Sequence, residues 1–265
     1  MRGITRETVV ELVDRKMLWL FGGLTLITLF IVYLSGNIRG EIAIESSGPA
    51  DLDTILGTPR YFAAAVYGRV LWLLVFLAVL GTAGLVPRML ERGRAEYYLS
   101  KPNSRAAFLA SRFLAIWIVY GLLVAVCAGA VAVAGAIVHE TSIGGVVFLF
   151  VVHLLIMLVW LSITVTVGLL SRSATVALMA AFSVWVAQFL LSFHDRMGGL
   201  VTSDVARTTV KLLYYVLPKT SQMAELAVNF AAGRPVETWL PLWSSLLFAG
   251  ALLSAALWIF KRRDY

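Results

Sequence analysis

The sequence predicts an all-α membrane protein whose chain crosses the bilayer in six transmembrane helices. Of the 265 residues, 60% are hydrophobic and only 14% are charged, whereas a soluble domain averages roughly 45–50% apolar and about 25% charged residues. The apolar residues are gathered in six long runs, and lysines and arginines cluster beside those runs. This combination is typical of a multi-pass membrane protein that obeys the positive-inside rule.

Each of the six runs is long enough to span the hydrocarbon core, which takes roughly 20 residues of helix. The third run is longer than this, so it is expected to tilt or to extend past the headgroups. The fourth and fifth runs are separated only by residues 171–173, which predicts a tight helical hairpin. In chain order, the predicted spans are about Met17–Ser35, Val66–Val86, Phe108–Val138, Gly145–Leu170, Ala174–Phe193 and Leu240–Phe260.

The orientation follows from the basic residues of the connecting segments. Most of the 22 lysines and arginines fall on one side if the N-terminus is cytoplasmic. Both termini and the loop 87–107 are then cytoplasmic, and the longer loops 36–65 and 194–239 lie outside. We therefore expect a multi-pass protein of the cell (inner) membrane.

Composition and charge also exclude several classes of protein. The net charge of +7 is explained by the basic flanks of the spans, so nucleic acid is not expected as a partner. The single cysteine, Cys127, excludes an intrachain disulfide and a cysteine-based zinc site. A long mixed-charge segment, Arg2–Lys16, precedes the first apolar run, which is unlike a cleavable signal peptide.

Short helices are predicted outside the spans of a single permease domain, 1–265. Residues 1–16 place apolar side chains mainly on one helical face, which indicates an amphipathic helix in the inner interface; an ordinary solvated helix is the alternative. In the outer loop 194–239, one helix is expected over Val205–Leu217, ending at Pro218. A second helix is expected over Met223–Ala232, closed by Gly233 and Pro235.

The chain shows no constellation of catalytic residues and no motif for a cofactor or metal. All 15 acidic residues lie outside the centres of the predicted spans, which argues against an ion-driven transporter, since such proteins use intramembrane carboxylates. The phosphate-binding motif G-x-x-x-x-G-K-[ST] is absent from the sequence, so ATP is not expected to bind to this chain in that way. Any hydrolysis of ATP would belong to another subunit.

The few polar residues inside the spans have two possible roles. His153, near the middle of the fourth span, is either a neutral imidazole bonded to a neighbouring helix or a substrate or metal contact; the first interpretation is favoured. Other polar side chains are expected to form hydrogen bonds between helices. They are Ser162, Thr164, Thr166, Ser183 and Gln188.

Small residues recur at intervals of four in the third span. Small side chains let helices approach closely in lipid. The pattern therefore predicts a packing stripe within the subunit, with a contact between subunits as the alternative. The residues of the stripe are Gly121, Ala125 and Gly129, with Ala128, Ala132 and Ala136 beside them.

The loop between the second and third spans combines many charges with adjacent apolar side chains. A short helix over Arg94–Leu99 would be stopped by Pro102, and Asn103 or Ser104 would cap the third span. Such a helix suits docking on a cytoplasmic partner. An interfacial turn that places Tyr97 and Tyr98 among the lipid headgroups is equally compatible with these residues.

The stretch E-R-G-R-A-E-Y-Y-L-S-K-P-N-S-R, which ends at Arg105, resembles the signature of ABC transporter permeases of the type-2 exporter family. Arg94 stands where that family usually has threonine. The N-terminal helix, the six spans and the basic ending F-K-R-R-D are also similar to that family, so the resemblance covers essentially the whole chain. The positions that match the signature are Glu91, Gly93, Glu96, Leu99, Pro102 and Arg105.

The resemblance implies two permease subunits paired with two copies of a separate ABC ATPase. The second permease would be another copy of this chain or a similar one. The loop and the N-terminal helix would dock on the ATPase, and the substrate route would lie at the subunit interface, lined partly by the first and fifth spans. The implied ATPase-coupling residues are Glu91, Gly93, Arg94, Glu96, Tyr97, Tyr98, Leu99, Pro102 and Arg105.

Two functions of different classes remain open from the sequence. The first is an ATP-driven exporter, whose apolar spans fit a hydrophobic or amphipathic cargo such as a lipid, peptide or drug. The second is a non-transporting scaffold or mechanotransmission subunit, which would use the same ATPase to move an accessory protein docked on the outer loop 194–239. A secondary transporter is disfavoured because intramembrane acids are missing.

Overall fold

The computed structural model describes residues 59–90, 105–139, 143–191 and 204–262, together with the isolated positions 19, 22, 23, 26, 27 and 30. Regular structure in these ranges is helical, and no strand occurs in them. Five of the helical segments are long and apolar enough to cross a membrane. The all-α membrane fold is therefore confirmed, and five of the six predicted spans have a counterpart in the described ranges.

The helices are numbered here in chain order. Their bounds are α1 Pro59–Thr82, α2 Leu85–Met89, α3 Arg105–His139, α4 Ile143–Ser171, α5 Ala174–Leu191, α6 Asp204–Val216, α7 Thr220–Ala231 and α8 Leu240–Arg262. The predicted first span lies almost wholly outside the described residues. Its six described positions are helical and exposed, and include Trp19, Leu26 and Phe30.

The second predicted span is divided into two helices. It begins at Pro59, well before the expected start at Val66, because proline is favoured in the first turn of a helix. At its other end the Thr82 hydroxyl donates to the carbonyl oxygens of Ala78 and Val79, at 2.8 and 3.2 Å. The short helix α2 follows and accommodates Pro87 in its first turn, where a missing N–H removes no intrahelical bond.

Helix α4 lies at the centre of the bundle. It packs against α1, α2, α3, α5, α7 and α8, and an apolar helix that is covered on most sides is typical of a core position. The indole N–H of Trp117 in α3 donates to the carbonyl oxygen of Leu154 in α4 at 3.1 Å. Helices α5 and α8 instead expose many large apolar side chains, as expected for lipid-facing helices.

The predicted hairpin between the fourth and fifth spans is confirmed. Helix α4 ends at Ser171 and α5 begins at Ala174. Arg172 turns the chain with a φ of 54°, in the left-handed region. The Ser173 hydroxyl accepts a hydrogen bond from the N–H of Val176 at 3.4 Å and caps the first turn of α5.

Two shorter helices, α6 and α7, occupy much of the segment 194–239. Helix α7 begins at Thr220, three residues before the expected start, and wedges between α1 and α4. Two glycines permit this close approach. A β-carbon at Gly68 would lie 2.7 Å from Val228 Cγ2, and one at Gly145 would lie 2.9 Å from the Cα of Ala231.

Helix α7 ends as predicted at Gly233, which has a φ of 79°. The N–H of Gly233 donates to the carbonyl of Phe230, and that of Arg234 to the carbonyl of Asn229, at 3.0 and 2.9 Å. This pair of bonds is a Schellman motif. Contacts of α7 with the starts of α4 and α8 place it at the end of the bundle opposite the Ser171–Ser173 hairpin.

The predicted small-residue stripe of α3 has two different surroundings. A β-carbon at Gly121 would lie 3.2 Å from Leu154 Cδ2, so this glycine allows α3 and α4 to approach closely. A β-carbon at Gly129 would meet no atom within 4 Å. The stripe therefore packs within the subunit at Gly121, while Gly129 faces open space.

Candidate functional site

A large apolar cleft opens between α1, α4 and α5. Its volume is about 560 Å³, within the range of pockets that bind small molecules. Trp160 and Ala181 are buried in it, while Phe76, Met179 and Phe182 are exposed at its rim. Its lining residues are Trp72, Val75, Phe76, Val79, Leu80, Trp160, Leu178, Met179, Ala181, Phe182, Ser183 and Trp185.

Aromatic rings form one side of the cleft. Trp72 and Phe76 of α1 are stacked, with ring centroids 6.0 Å apart and planes inclined by 6°. The Trp72 ring also lies 6.2 Å from that of Trp185 in α5, which in turn lies 5.6 Å from Phe182. These rings span the mouth between the two helices.

The chemistry of the cleft is that of an apolar binding surface. The hydroxyl of Ser183 donates to the carbonyl of Met179 in its own helix at 2.8 Å, so this donor is already used. Aromatic and aliphatic side chains attract hydrophobic groups through burial of area and dispersion. The cleft therefore suits a lipid chain, another apolar molecule or an apolar helix.

The helices that line the cleft are connected directly to the predicted coupling loop. Helix α2, which leads into the loop, packs against α4 and α5. A β-carbon at Gly168 of α4 would lie 3.3 Å from both Cδ and Cγ of the Pro87 ring. Met89 and Leu90 are also buried, so the chain is anchored in the bundle up to residue 90.

Most of the predicted coupling residues lie outside the described part of the chain. Arg105 is the exception: it is the first residue of α3. The predicted interfacial helix 1–16 also lies outside that part. The residues outside are Glu91, Gly93, Arg94, Glu96, Tyr97, Tyr98, Leu99 and Pro102.

His153 is fully buried in α4. Its Nδ1 lies 2.7 Å from the carbonyl oxygen of Leu149, one turn earlier in the same helix. The sequence favoured a bond from His153 to a neighbouring helix. Nδ1 does not form that bond, because its partner lies in α4 itself. Nε2 is oriented towards α1 near Gly68, but no group in the described ranges meets hydrogen-bond geometry with it.

The other polar residues of the spans divide into two groups. Gln188 and Thr166 bond across helices: Gln188 Oε1 accepts from Thr220 Oγ1 at 2.6 Å, and Thr166 Oγ1 reaches the carbonyl of Leu252 at 3.3 Å. For these two the prediction is confirmed. It is wrong for Ser162, Thr164 and Ser183, which donate to carbonyls three or four residues earlier in their own helices.

A buried cation, which the sequence did not single out, lies where α7 begins. Lys219 is only 5% exposed. Its Nζ lies 3.4 Å from Ser244 Oγ and 4.7 Å from the ring centroid of Tyr214. Burial lowers the pKa of its ammonium group below the ordinary 10.5. A lysine directly after Pro218 and before a helix start was the signal available in the sequence.

Clusters of metal-ligating side chains do not accompany these sites. Across the ranges 59–90, 105–139, 143–191 and 204–262, no group of three or more His, Cys, Asp or Glu side chains is placed to hold an ion. Cys127 is buried in α3. The described residues therefore form two candidate binding sites, the apolar cleft and a polar site beside Lys219.

Comparison with known proteins assigns the family. The model of a family described as ABC-2 family transporter protein matches residues 10–265. No curated protein matches the chain in sequence. The match covers nearly the whole chain and agrees with the five apolar helices and the loop signature. The chain belongs to the ABC-2 family of transporter permeases, the multi-pass transmembrane subunits that pair with an ABC ATPase.

Proposed function

We propose that this permease exports a hydrophobic or amphipathic substrate, whose apolar part enters the cleft between α1, α4 and α5. The observation that carries this proposal is the cleft itself, about 560 Å³ of space lined by aromatic and aliphatic side chains. A site of this kind takes its substrate from the bilayer, where a hydrophobic molecule is concentrated. ATP hydrolysis takes place in the partner subunits, and movement reaches the cleft through the permease.

The path of that movement begins at the ATPase-coupling residues, Glu91 to Arg105. Two ATPase subunits dock on this loop and on the interfacial helix 1–16. Helix α2 supports the proposal because it joins the loop to the bundle through the contact of Pro87 with Gly168. Since α2 also packs on α5, a displacement of the loop changes the position of α5 and the width of the cleft.

The complete transporter has six spans per permease and two permeases. The first span comprises Met17–Ser35, and both termini face the cytoplasm together with residues 91–104 and the Ser171–Ser173 hairpin. In support of this, Trp19, Leu26, Ile27 and Phe30 are helical and present an exposed apolar surface. A second copy of the chain is the simplest partner, and the cleft then lies beside the substrate route of the dimer.

A photoreactive lipid tests the proposal directly. A diazirine-bearing phosphatidylethanolamine is incorporated into proteoliposomes that hold the permease and its ATPase. We expect labelled peptides from α1 and α5. Trp185→Ala together with Phe182→Ala should lower labelling and ATP-dependent lipid movement by about tenfold, since both rings are partly exposed and a loss of about 1.4 kcal/mol of apolar contact with the lipid corresponds to a factor of ten.

Trp243→Ala is the matched control, because Trp243 is an exposed tryptophan of α8 that lies outside the cleft. It should leave labelling and transport unchanged. Equal losses in the control and cleft variants would contradict a specific site. Normal ATPase assembly with no lipid movement in any variant would favour the mechanotransmission function instead.

Cysteine crosslinking identifies the other occupants that an apolar cleft admits. Cys127 is the only cysteine of the chain, so Cys127→Ala provides a clean background. Leu26→Cys is paired with Phe182→Cys in this background. A disulfide within one chain would show that the first span fills the cleft, and one between chains would show a subunit contact. The intrachain disulfide would overturn the cleft as a substrate site, whereas the interchain disulfide would support a substrate route between the two permeases beside the cleft.

The docking part of the proposal has its own test. Glu96→Lys should weaken co-purification of the ATPase or uncouple ATP hydrolysis from transport. Glu237→Lys is the control, since Glu237 is an exposed acid in the segment between α7 and α8. Unchanged assembly and coupling in Glu96→Lys would count against docking at this loop.

A further inference from the structure

A compact set of hydrogen-bond donors surrounds the N-terminus of α7. The function proposed above does not use these groups. The Lys219 side chain is fixed there by its neighbours. Its backbone N–H donates to Ser245 Oγ at 2.8 Å, and its Nζ lies over the rings of Tyr214 and Tyr215, with distances of 4.7 and 5.7 Å to the centroids. In the described ranges, no carboxylate forms an ion pair with this ammonium group.

The first turn of α7 adds backbone donors to this charge. The first N–H groups of a helix have no acceptor within the helix, and the macrodipole makes this end positive. Lys219 occupies the N-cap position and makes no side-chain capping bond. The N-terminus of this 12-residue helix is therefore suited to an anion.

Gln188 of α5 provides an independent indication of a ligand. The residue is only 8% exposed. Its Oε1 accepts the hydroxyl of Thr220 at 2.6 Å, so the amide nitrogen is the group that remains to bond a ligand. Nε2 is buried and meets no hydrogen-bond acceptor among the described residues. A buried donor of this kind is costly unless something accepts from it.

These groups line one small pocket, the Lys219 pocket. Gln188, Lys219, Ser221 and Gln222 supply its polar side, and Leu191 and Pro218 belong to its apolar side. Its volume of about 20 Å³ is enough for one water molecule or for one oxygen atom of an anion. A larger anion would therefore insert a single oxygen and leave its remaining atoms at the exposed Ser221 rim.

The surroundings indicate the source of that oxygen. Leu212, Tyr215 and Val216 of α6 are exposed beside the pocket, as are Phe189 and Leu190 of α5. Apolar side chains next to a buried cation are typical of the boundary between acyl chains and headgroups. A phosphodiester at this boundary presents an anionic oxygen at the required depth, whereas a soluble phosphate would have to leave water to reach it.

We propose that the Lys219 pocket binds a non-bridging oxygen of the phosphodiester group of a membrane phospholipid. The Lys219 ammonium, the Gln188 amide and the first N–H groups of α7 donate to this oxygen. The acyl chains of the lipid then lie along the exposed faces of α5 and α6. Because Gln188 is one turn beyond Trp185, the bound lipid holds the end of α5 close to the cleft.

Native mass spectrometry of the full-length permease in detergent measures this binding. Phosphatidylglycerol and phosphatidylcholine share the phosphodiester, so both should bind. Diacylglycerol lacks the phosphate and should not bind at this site. Inorganic phosphate serves as the probe for a soluble anion and should neither bind nor displace the lipid. Equal binding of diacylglycerol, or displacement by inorganic phosphate, would overturn the proposal.

Variants of the pocket connect binding to these residues. Lys219→Gln should weaken phospholipid binding by about tenfold or more, as expected for loss of a charge-assisted hydrogen bond. Lys261→Gln, at the exposed end of α8, is the control and should bind normally. Undiminished binding by Lys219→Gln would overturn the assignment.

Ser221→Asp keeps the test valid if Lys219→Gln does not fold. An acid in the first turn of a helix stabilises that helix, but at the rim of the pocket its charge repels a phosphate. We therefore expect a protein with unchanged or higher thermal stability and at least a several-fold loss of phospholipid binding. Normal phospholipid binding by a folded Ser221→Asp protein would contradict the proposal.

Discussion

The ring of Pro87 lies against Gly168, so closely that a β-carbon at position 168 would come within 3.3 Å of two of its carbon atoms. This contact joins the helix that leads into the predicted coupling loop to the helix at the centre of the bundle. Any movement that enters through the loop must either preserve this contact or separate it. Its tightness therefore bears on both stability and coupling.

Gly168→Ala tests that tightness. Alanine in place of glycine favours a helix by roughly 1 kcal/mol, but here its methyl group must displace the Pro87 ring, and overpacking costs about 1–3 kcal/mol. Gly129→Ala is the matched control, since nothing lies within 4 Å of its added carbon. We expect the control to be the more stable variant by about 1–3 kcal/mol in thermal unfolding. Equal stability of the two variants would show that the Pro87 ring moves aside at little cost.

Gly145→Ala should be more damaging than Gly168→Ala. Its β-carbon would meet the backbone of Ala231, at 2.9 Å from Cα and 3.1 Å from the carbonyl oxygen. A backbone cannot rotate aside, so α7 must move away from α4. Gly250→Ala in α8 is the control because its added carbon meets nothing within 4 Å. A melting temperature for Gly145→Ala equal to that of the control would contradict the close approach.

Arg172→Gly should stabilise the protein. The φ of 54° at Arg172 is unfavourable for a residue with a side chain, by roughly 1–2 kcal/mol, and glycine adopts it readily. We expect a gain of about 1 kcal/mol in the free energy of unfolding, measured with denaturant. Ser173→Gly is the comparison, and it should be neutral or destabilising because it removes the cap on Val176. A loss in Arg172→Gly would show that the interactions of the arginine outweigh the backbone strain.

His153→Leu distinguishes the two roles considered for this residue. The Nδ1 contact is to a carbonyl of its own helix, which retains its backbone bond when the imidazole is removed. With Nε2 lacking a partner in the described ranges, an apolar residue of similar volume should change stability by less than about 1.5 kcal/mol. ATP-dependent lipid movement in proteoliposomes should also persist. Loss of transport from a stably folded variant would establish a functional contact.

Lys219 should make stability depend on alkaline pH. Because burial lowers the pKa of this lysine, the native state holds fewer protons than the unfolded chain between the lowered pKa and 10.5. Stability contributed by this group therefore rises with pH through that window. Lys219→Met provides the reference, and the wild type should gain relative to it as the pH approaches 10.5. A constant difference, measured by unfolding at several pH values, would contradict this.

Hydropathy alone was sufficient to locate five of the spans, because a lipid-facing helix must carry an uninterrupted apolar run. The Ser171–Ser173 hairpin followed from the same pattern, since so short a connection leaves room only for a turn. The position of α7 was not predictable in this way. Its insertion depends on the absence of side chains at Gly68 and Gly145, and a glycine in a helix does not reveal which helix lies against it.

The cleft and the Lys219 pocket were less accessible from the sequence for a similar reason. Aromatic residues at Trp72 and Trp185 look like ordinary lipid-facing side chains until the distance between their helices is known. Serines and threonines were expected to bond across helices, but Ser162 and Thr164 satisfy their hydroxyls locally. Gln188, whose amide is too long for such a local bond, identified a helix–helix contact, and Thr166 reaches the carbonyl of Leu252 in α8.

The length of α3 has a mechanical consequence. Its 35 residues make a rod about 50 Å long, and that rod starts directly after the loop that we propose as the docking site of the ATPase. Rigid rods act as levers. If α3 rocks by about 5° around its Arg105 end, the far end near His139 sweeps through roughly 4–5 Å. A modest push at one membrane face thereby becomes, at the other face, a displacement comparable to the width of a lipid chain.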